Sequence, residues 1–141
     1  MSIIDDAIAR LQALALASTY IKGAPTYPPE DAGVLPMAVA YISGGNANEI
    51  NATDLKFIMN VTVDIHIKND ILKEAYTRVN AIIPDYIKRL GGDPTLNGTV
   101  STIVFPIDFV VGPDEWGSIS TTMIRFIVPI KFNLLSPTVT P

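Results

Sequence analysis

The segment DLKFIMNVTVDIHIK, Asp54 to Lys68, carries an apolar residue at every odd position from Leu55 to Ile67. Its even positions read Lys56, Ile58, Asn60, Thr62, Asp64, His66 and Lys68, polar except for Ile58. A period of two with one apolar face is the pattern of a strand half-buried in a sheet. At about 3.3 Å per residue the strand would run about 50 Å. A compact domain of this size has a radius of gyration of about 14 Å and a diameter of about 35 to 40 Å. Either a bulge or bend absorbs the excess, or part of the strand lies against a neighbouring subunit. The odd face is expected to bury helices, which leaves the even face to be explained as a surface.

The flanking sequence supplies those helices and further strands. Ser2 and Asp5 resemble a capping box, and Ile4, Ile8, Leu11 and Ala15 follow at helical spacing, predicting a helix over Ile3–Tyr20. KGAPTYPPEDAGVLP, residues 22–36, holds four prolines and two glycines and reads as a loop. PMAVAYIS reads as a short strand ended by a turn at GGNANE. Asn69 or Asp70 is positioned to cap a second helix whose apolar face is Leu72, Ala75, Val79, Ile83, Tyr86, Ile87 and Leu90, with Pro84 expected to kink it. VSTIVFPIDFVV and ISTTMIRFIVPIKF flank GPDEWGS as the arms of a long hairpin, with Pro106 and Pro129 expected at sheet edges or bulges. This order predicts a single α+β domain over residues 1–141. Its largely antiparallel sheet would have four to five strands, two main helices packed on one face, and residues 133–141 as an extended tail.

Composition narrows the function classes. With 48% hydrophobic and 17% charged residues and a mean hydropathy of +0.33, the chain has little charge to cover a monomer's surface, and oligomerisation would relieve this. A net charge of −4, with the basic residues scattered, argues against gripping nucleic acid through its phosphates. The absence of cysteine removes disulfides, thiolate metal sites and cysteine nucleophiles. No apolar run reaches membrane-spanning length and the first ten residues are acidic, so a cytosolic product is expected.

His66, the single histidine, shares the polar strand face with Asp64, a pair from which acid–base or metal chemistry could begin. No second histidine or cysteine supports it, and a surface or interface histidine is the simpler reading. No G-x-S-x-G, P-loop or G-x-G-x-x-G is present, and Ser118 and Ser120 are ordinary strand hydroxyls. The acidic pairs Asp5–Asp6, Glu30–Asp31 and Asp114–Glu115 lack calcium-loop spacing. Trp116, the single tryptophan, either tucks its hairpin tip against the sheet or anchors an interface. No catalytic residue, cofactor or metal is therefore expected. The expected contact set is Lys56, Asn60, Thr62, Asp64, His66, Asp114, Glu115 and Trp116.

From Ile3 to about Phe132 the chain resembles the tail terminator proteins of long-tailed bacteriophages, the family of the lambda tail terminator. The resemblance rests on the amphipathic first helix, the Pro-rich loop into LPMAVAYISGG, the long alternating strand, the helix containing IIP and the closing GPDEWGSISTTMIRFIVPIKF. It implies a non-enzymatic virion protein of the tail and neck, made in the host cytoplasm. Such a protein assembles with itself as a hexameric ring, caps the tail tube and offers the head a joining surface. Its partners would be the tube protein and a head–tail connector, with DNA passing through the lumen unheld, as suits an acidic wall. The tail Asn133–Pro141 has no counterpart in the resemblance. Two alternatives stay open: another connector or completion protein of the phage neck, and a small ligand-binding α+β domain using His66.

Overall fold

The alternating segment forms one strand, β2 (Asp54–Lys68), 15 residues long. All of it pairs antiparallel with β5 (Ile119–Leu135), from Asp54↔Leu135 to Lys68↔Thr121. The structure is a computed structural model and describes residues 3–18, 20–24, 35–49, 54–69, 71–98, 100–116 and 119–135. The other elements are α1 (Ile3–Leu16), β1 (Met37–Glu49), α2 (Leu72–Gly91), β3 (Thr102–Ile103) and β4 (Asp108–Trp116). The result is an α+β domain whose five-stranded antiparallel sheet runs β1-β2-β5-β3, with β4 also paired to β5.

β2 pairs with β5 over its full length without a register shift, so no bulge shortens it, but irregularities in its neighbours line up across the sheet. β1 shifts register between Ile42 and Gly44, and the hydroxyl of Ser43 donates to the Asn60 carbonyl at 3.2 Å. Asn60 faces Pro129 on β5. Beyond Pro129, the outer row of the sheet is interrupted between Ile103 and Asp108. The amides of Val104 and Ser101 donate to the carbonyls of Pro129 and Lys131, so odd residues of β5 turn their backbone groups toward β3 and β4. The donor missing at Pro129 therefore falls in the gap between β3 and β4, and Pro106 lies in the gap itself, as edge prolines require. By the same alternation Pro113, opposite Thr122, turns its nitrogen away from β5. Past this line β3 pairs with β5 only at Ile130 and Lys131, and beyond it β1, β2 and β5 continue as a three-stranded extension in which Phe57 and Phe132 pack with ring centroids 5.7 Å apart.

The core joins the odd face of β2, Met59 to Ile67, to the even face of β5, Ile124 to Phe132, and to the buried side chains of both helices. Leu11 and Ala15 of α1 and Val79, Ile82 and Leu90 of α2 are among these, each large one contributing about 1.5 to 3 kcal/mol. Tyr86 locks the layers together: its ring stands edge-on to Phe126 at 5.0 Å, and its hydroxyl donates to the Leu11 carbonyl at 3.0 Å.

Several expectations need correction. The first helix ends at Leu16, four residues early, where the Ser18 hydroxyl accepts the Tyr20 amide and draws the backbone into a turn. Asn69 does not cap α2, because its side-chain oxygen is taken by the Thr122 hydroxyl at 3.0 Å; Ile71 holds the N-cap position without a side-chain bond, and Asp70 lies outside the described residues. The expected place of Pro84 inside the second helix holds, and α2 continues past it to Gly91. GGNANE is strand and not turn: it continues β1 beyond the bulge. The first hairpin arm divides into β3 and β4, and pairing extends to Trp116↔Ile119, so most of GPDEWGS is strand. Asn133–Leu135 belong to β5, which leaves only 136–141 of the expected tail outside the described residues.

Gly45 shows why a glycine pair reads wrongly as a turn. A Cβ there would collide with the Ile58 carbonyl and lie 2.9 Å from Met59 Cα, whereas one on Gly44 would meet nothing within 4 Å. Gly45→Ala should therefore cost about 1 to 3 kcal/mol by forcing β1 and β2 apart, and Gly44→Ala should stay within about 0.5 kcal/mol of the parent. Urea unfolding midpoints of the two variants check this, and equal effects would contradict it.

Candidate functional site

The even face of β2 holds a polar cluster instead of a solvated surface. Thr62, Asp64 and His66 are 3%, 3% and 0% exposed within a single chain, which corrects their expected place on a surface. The strand register explains the gathering. Asp64 sits directly across from Arg125 of β5, and Tyr41 of β1 lies diagonally beside it. Arg125 grips the carboxylate with two prongs, Nε to Oδ1 at 2.9 Å and Nη2 to Oδ2 at 3.1 Å, and the Tyr41 hydroxyl donates to Oδ2 at 2.7 Å. A carboxylate 5% exposed is tolerable only with such charge-assisted partners, since an unpaired buried charge would be neutralised or would unfold its surroundings. Burial, reinforced by the bond to Asp64, pushes the Tyr41 phenol up to about 12. The bond to Asp64 raises the Arg125 guanidinium further above its ordinary value.

One turn of the pleat along, His66 Nδ1 lies 3.1 Å from the Thr121 hydroxyl, which also reaches the Asp114 carbonyl at 3.5 Å. Burial lowers the imidazole's pKa below its ordinary 6.5, and Arg125 adds to this; Asp64 and Asp114 pull the other way without prevailing. Beside Thr121, at the end of the β4–β5 hairpin, opens a polar cleft of about 370 Å³ lined by Asn69, Pro113, Asp114, Glu115, Ser120 and Thr121.

Thr121, His66 and Asp64 superficially suggest a nucleophile, base and carboxylate. Thr121 is 0% exposed, however, and both oxygens of Asp64 are engaged by Arg125 and Tyr41, so the carboxylate serves first as the partner of those two groups. Among the described residues no group of three or more acidic, histidine or cysteine side chains is placed to hold a metal ion. The cluster's chemistry is that of a cross-strand clamp over β1, β2 and β5.

The remaining expected contact residues divide. Lys56 is half-buried on the extension and Asn60 half-buried opposite Pro129, Asp114 is half-buried and Glu115 exposed at the cleft, and Trp116 ends β4 with its side chain outside the described residues. Sequence reasoning missed Arg125 and Tyr41. The usable signal was Arg125 itself, the one charge inside TTMIRFIVPI, for which a cross-strand acid was the natural partner. It also missed the apolar surface of β4, where Phe109, Val110 and Val111 are 44%, 59% and 37% exposed. Compared with models of known protein families and with curated proteins, the chain matches none.

His66 makes the clamp sensitive to acid. Its pKa is lowered in the fold and ordinary in the unfolded chain, so below about neutral pH the unfolded chain binds more protons and stability falls as pH falls. Between pH 7.5 and 5.5 the urea midpoint of the parent should drop, and that of His66→Gln should drop less. Parallel curves would show that His66 does not set this dependence.

Proposed function

We propose that this chain is a structural virion protein, a tail terminator that closes into a ring on the end of a phage tail tube and offers the head its joining surface. The observation that carries the reading is the unfinished outer surface of the sheet. β4 pairs only with β5 among the described residues, and exposes Phe109 and Val111 on one face and Val110 on the other. At the opposite edge Ile42 is 46% exposed beside the bulge of β1. A monomer seldom leaves apolar side chains on both faces of an edge strand, and head-to-tail contact between opposite edges is the arrangement that generates rings. The order of elements, the long strands and the scarcity of charge support the same reading, and no helix among the described residues is long and apolar enough to cross a membrane.

The rival reading as a ligand-binding domain has less support, since Asp64 is held by Arg125 and Tyr41 and His66 is interior. A different neck connector would share the self-association but not the affinity for tube ends. Native mass spectrometry with co-sedimentation on purified tail tubes separates these: a closed ring, six-membered on the resemblance, bound at tube ends is expected. A persistent monomer that never binds tubes would overturn the proposal, and a ring indifferent to tubes would favour the other connector.

A further inference from the structure

The two edges of the sheet are guarded unequally. β4 turns the donorless nitrogen of Pro113 outward and carries Asp108, Asp114 and Glu115, all of which discourage strand addition. β1 has no proline and no charge from Ala38 to Asn48. Its start is covered where the Ala38 amide donates to the Gly23 carbonyl at 2.8 Å, which also shows that even residues there face outward. The bulge at Ser43 reverses this: Gly44 and Asn46 pair with Asn60 and Ile58, so Gly45 and Ala47 turn their backbone groups to the outside, within the exposed stretch Ser43–Ala47. Among the described residues no strand pairs with this part of the edge, which offers two backbone positions, Gly45 and Ala47, with Asn46 between them.

We infer that this edge receives residues Pro137–Pro141 of a second copy as an added strand. The segment PTVTP has no charged side chain, and its prolines share one parity with Val139. In an extended strand Thr138 and Thr140 then present N–H and C=O to one side while both donorless nitrogens face the other. Paired with Gly45 and Ala47, the threonines close about four hydrogen bonds, and the prolines bar any further strand. The chain's own tail is too short for the task. A strand added to β1 lies three spacings from β5, about 14 Å from Leu135, while Thr138 reaches at most about 11 Å beyond it. The donor is therefore another subunit, and in this the inference rests on the self-association proposed above.

Proline placement tests it without disturbing the domain, using full-length variants and amide hydrogen exchange. At concentrations where the parent associates, the amides of Gly45 and Ala47 exchange slower by on the order of tenfold than in the dilute chain. Thr138→Pro, which turns a donorless nitrogen toward the edge, abolishes the protection, and Val139→Pro, which turns one away, keeps it. A synthetic Ser136–Pro141 peptide at millimolar concentration restores protection to the Thr138→Pro chain. Equal behaviour of the two variants, or protection at Phe109 and Val111 instead, overturns the inference. If rings form while Gly45 and Ala47 exchange freely, the added strand is wrong and the ring stands. If the parent stays monomeric but the peptide still protects these amides, the ring is wrong and the edge site stands.

Discussion

Everything in this fold depends on one strand being paired along both sides. β2 is bonded to β5 over its whole length and to β1 from Met37↔His66 to Glu49↔Leu55, so its register fixes which residues share a face across three strands. A slip by one residue would send Val61, Val63, Ile65 and Ile67 to the polar side and drive Asp64 and His66 into the apolar core. Two devices oppose such a slip. The core side fills with Tyr86, Phe126 and the aliphatic rows around them. The other side is pinned by Asp64, which finds Arg125 and Tyr41 only in the native register.

That pin explains how a carboxylate survives near the centre of a sheet. An ion pair so placed contributes little net stability, because desolvation offsets most of its Coulomb attraction. Arg125 keeps part of its side chain in water, 39% exposed, which lessens the cost on its side. What the pair supplies is selectivity for one alignment of three strands, with both carboxylate oxygens held by hydrogen bonds. The acid sensitivity of His66 belongs to the same interior, where the imidazole meets Thr121, a residue that also lines the open cleft.

The period of two in DLKFIMNVTVDIHIK was enough to place β2 at both ends and to identify its core face, because alternation is a local signal. The even face was not legible. Polar side chains alternate identically whether they meet water or a cross-strand partner, and the partners of Asp64 lie 23 and 61 residues away in the chain. GGNANE misled for a related reason: glycine marks turns, but Gly45 is required where two strand backbones approach closely. Ser18 and Asn69 misled because their side chains found competing partners, a backbone amide and the Thr122 hydroxyl. The order of elements was largely readable from the sequence, whereas the apolar surface of β4 became apparent only once strand pairing showed that β4 has no partner on its far side among the described residues.

Among the described residues the sheet is unpaired along most of two opposite edges, one apolar and one without charge or proline, which suits a subunit that neighbours complete. Electron-microscopy averaging of the assembled protein at side-chain detail addresses this completion most directly. The expected result is a closed ring in which every subunit has Phe109, Val110 and Val111 of β4 and the outer edge of β1 covered by adjacent copies. Particles in which both edges face solvent in every subunit would contradict it.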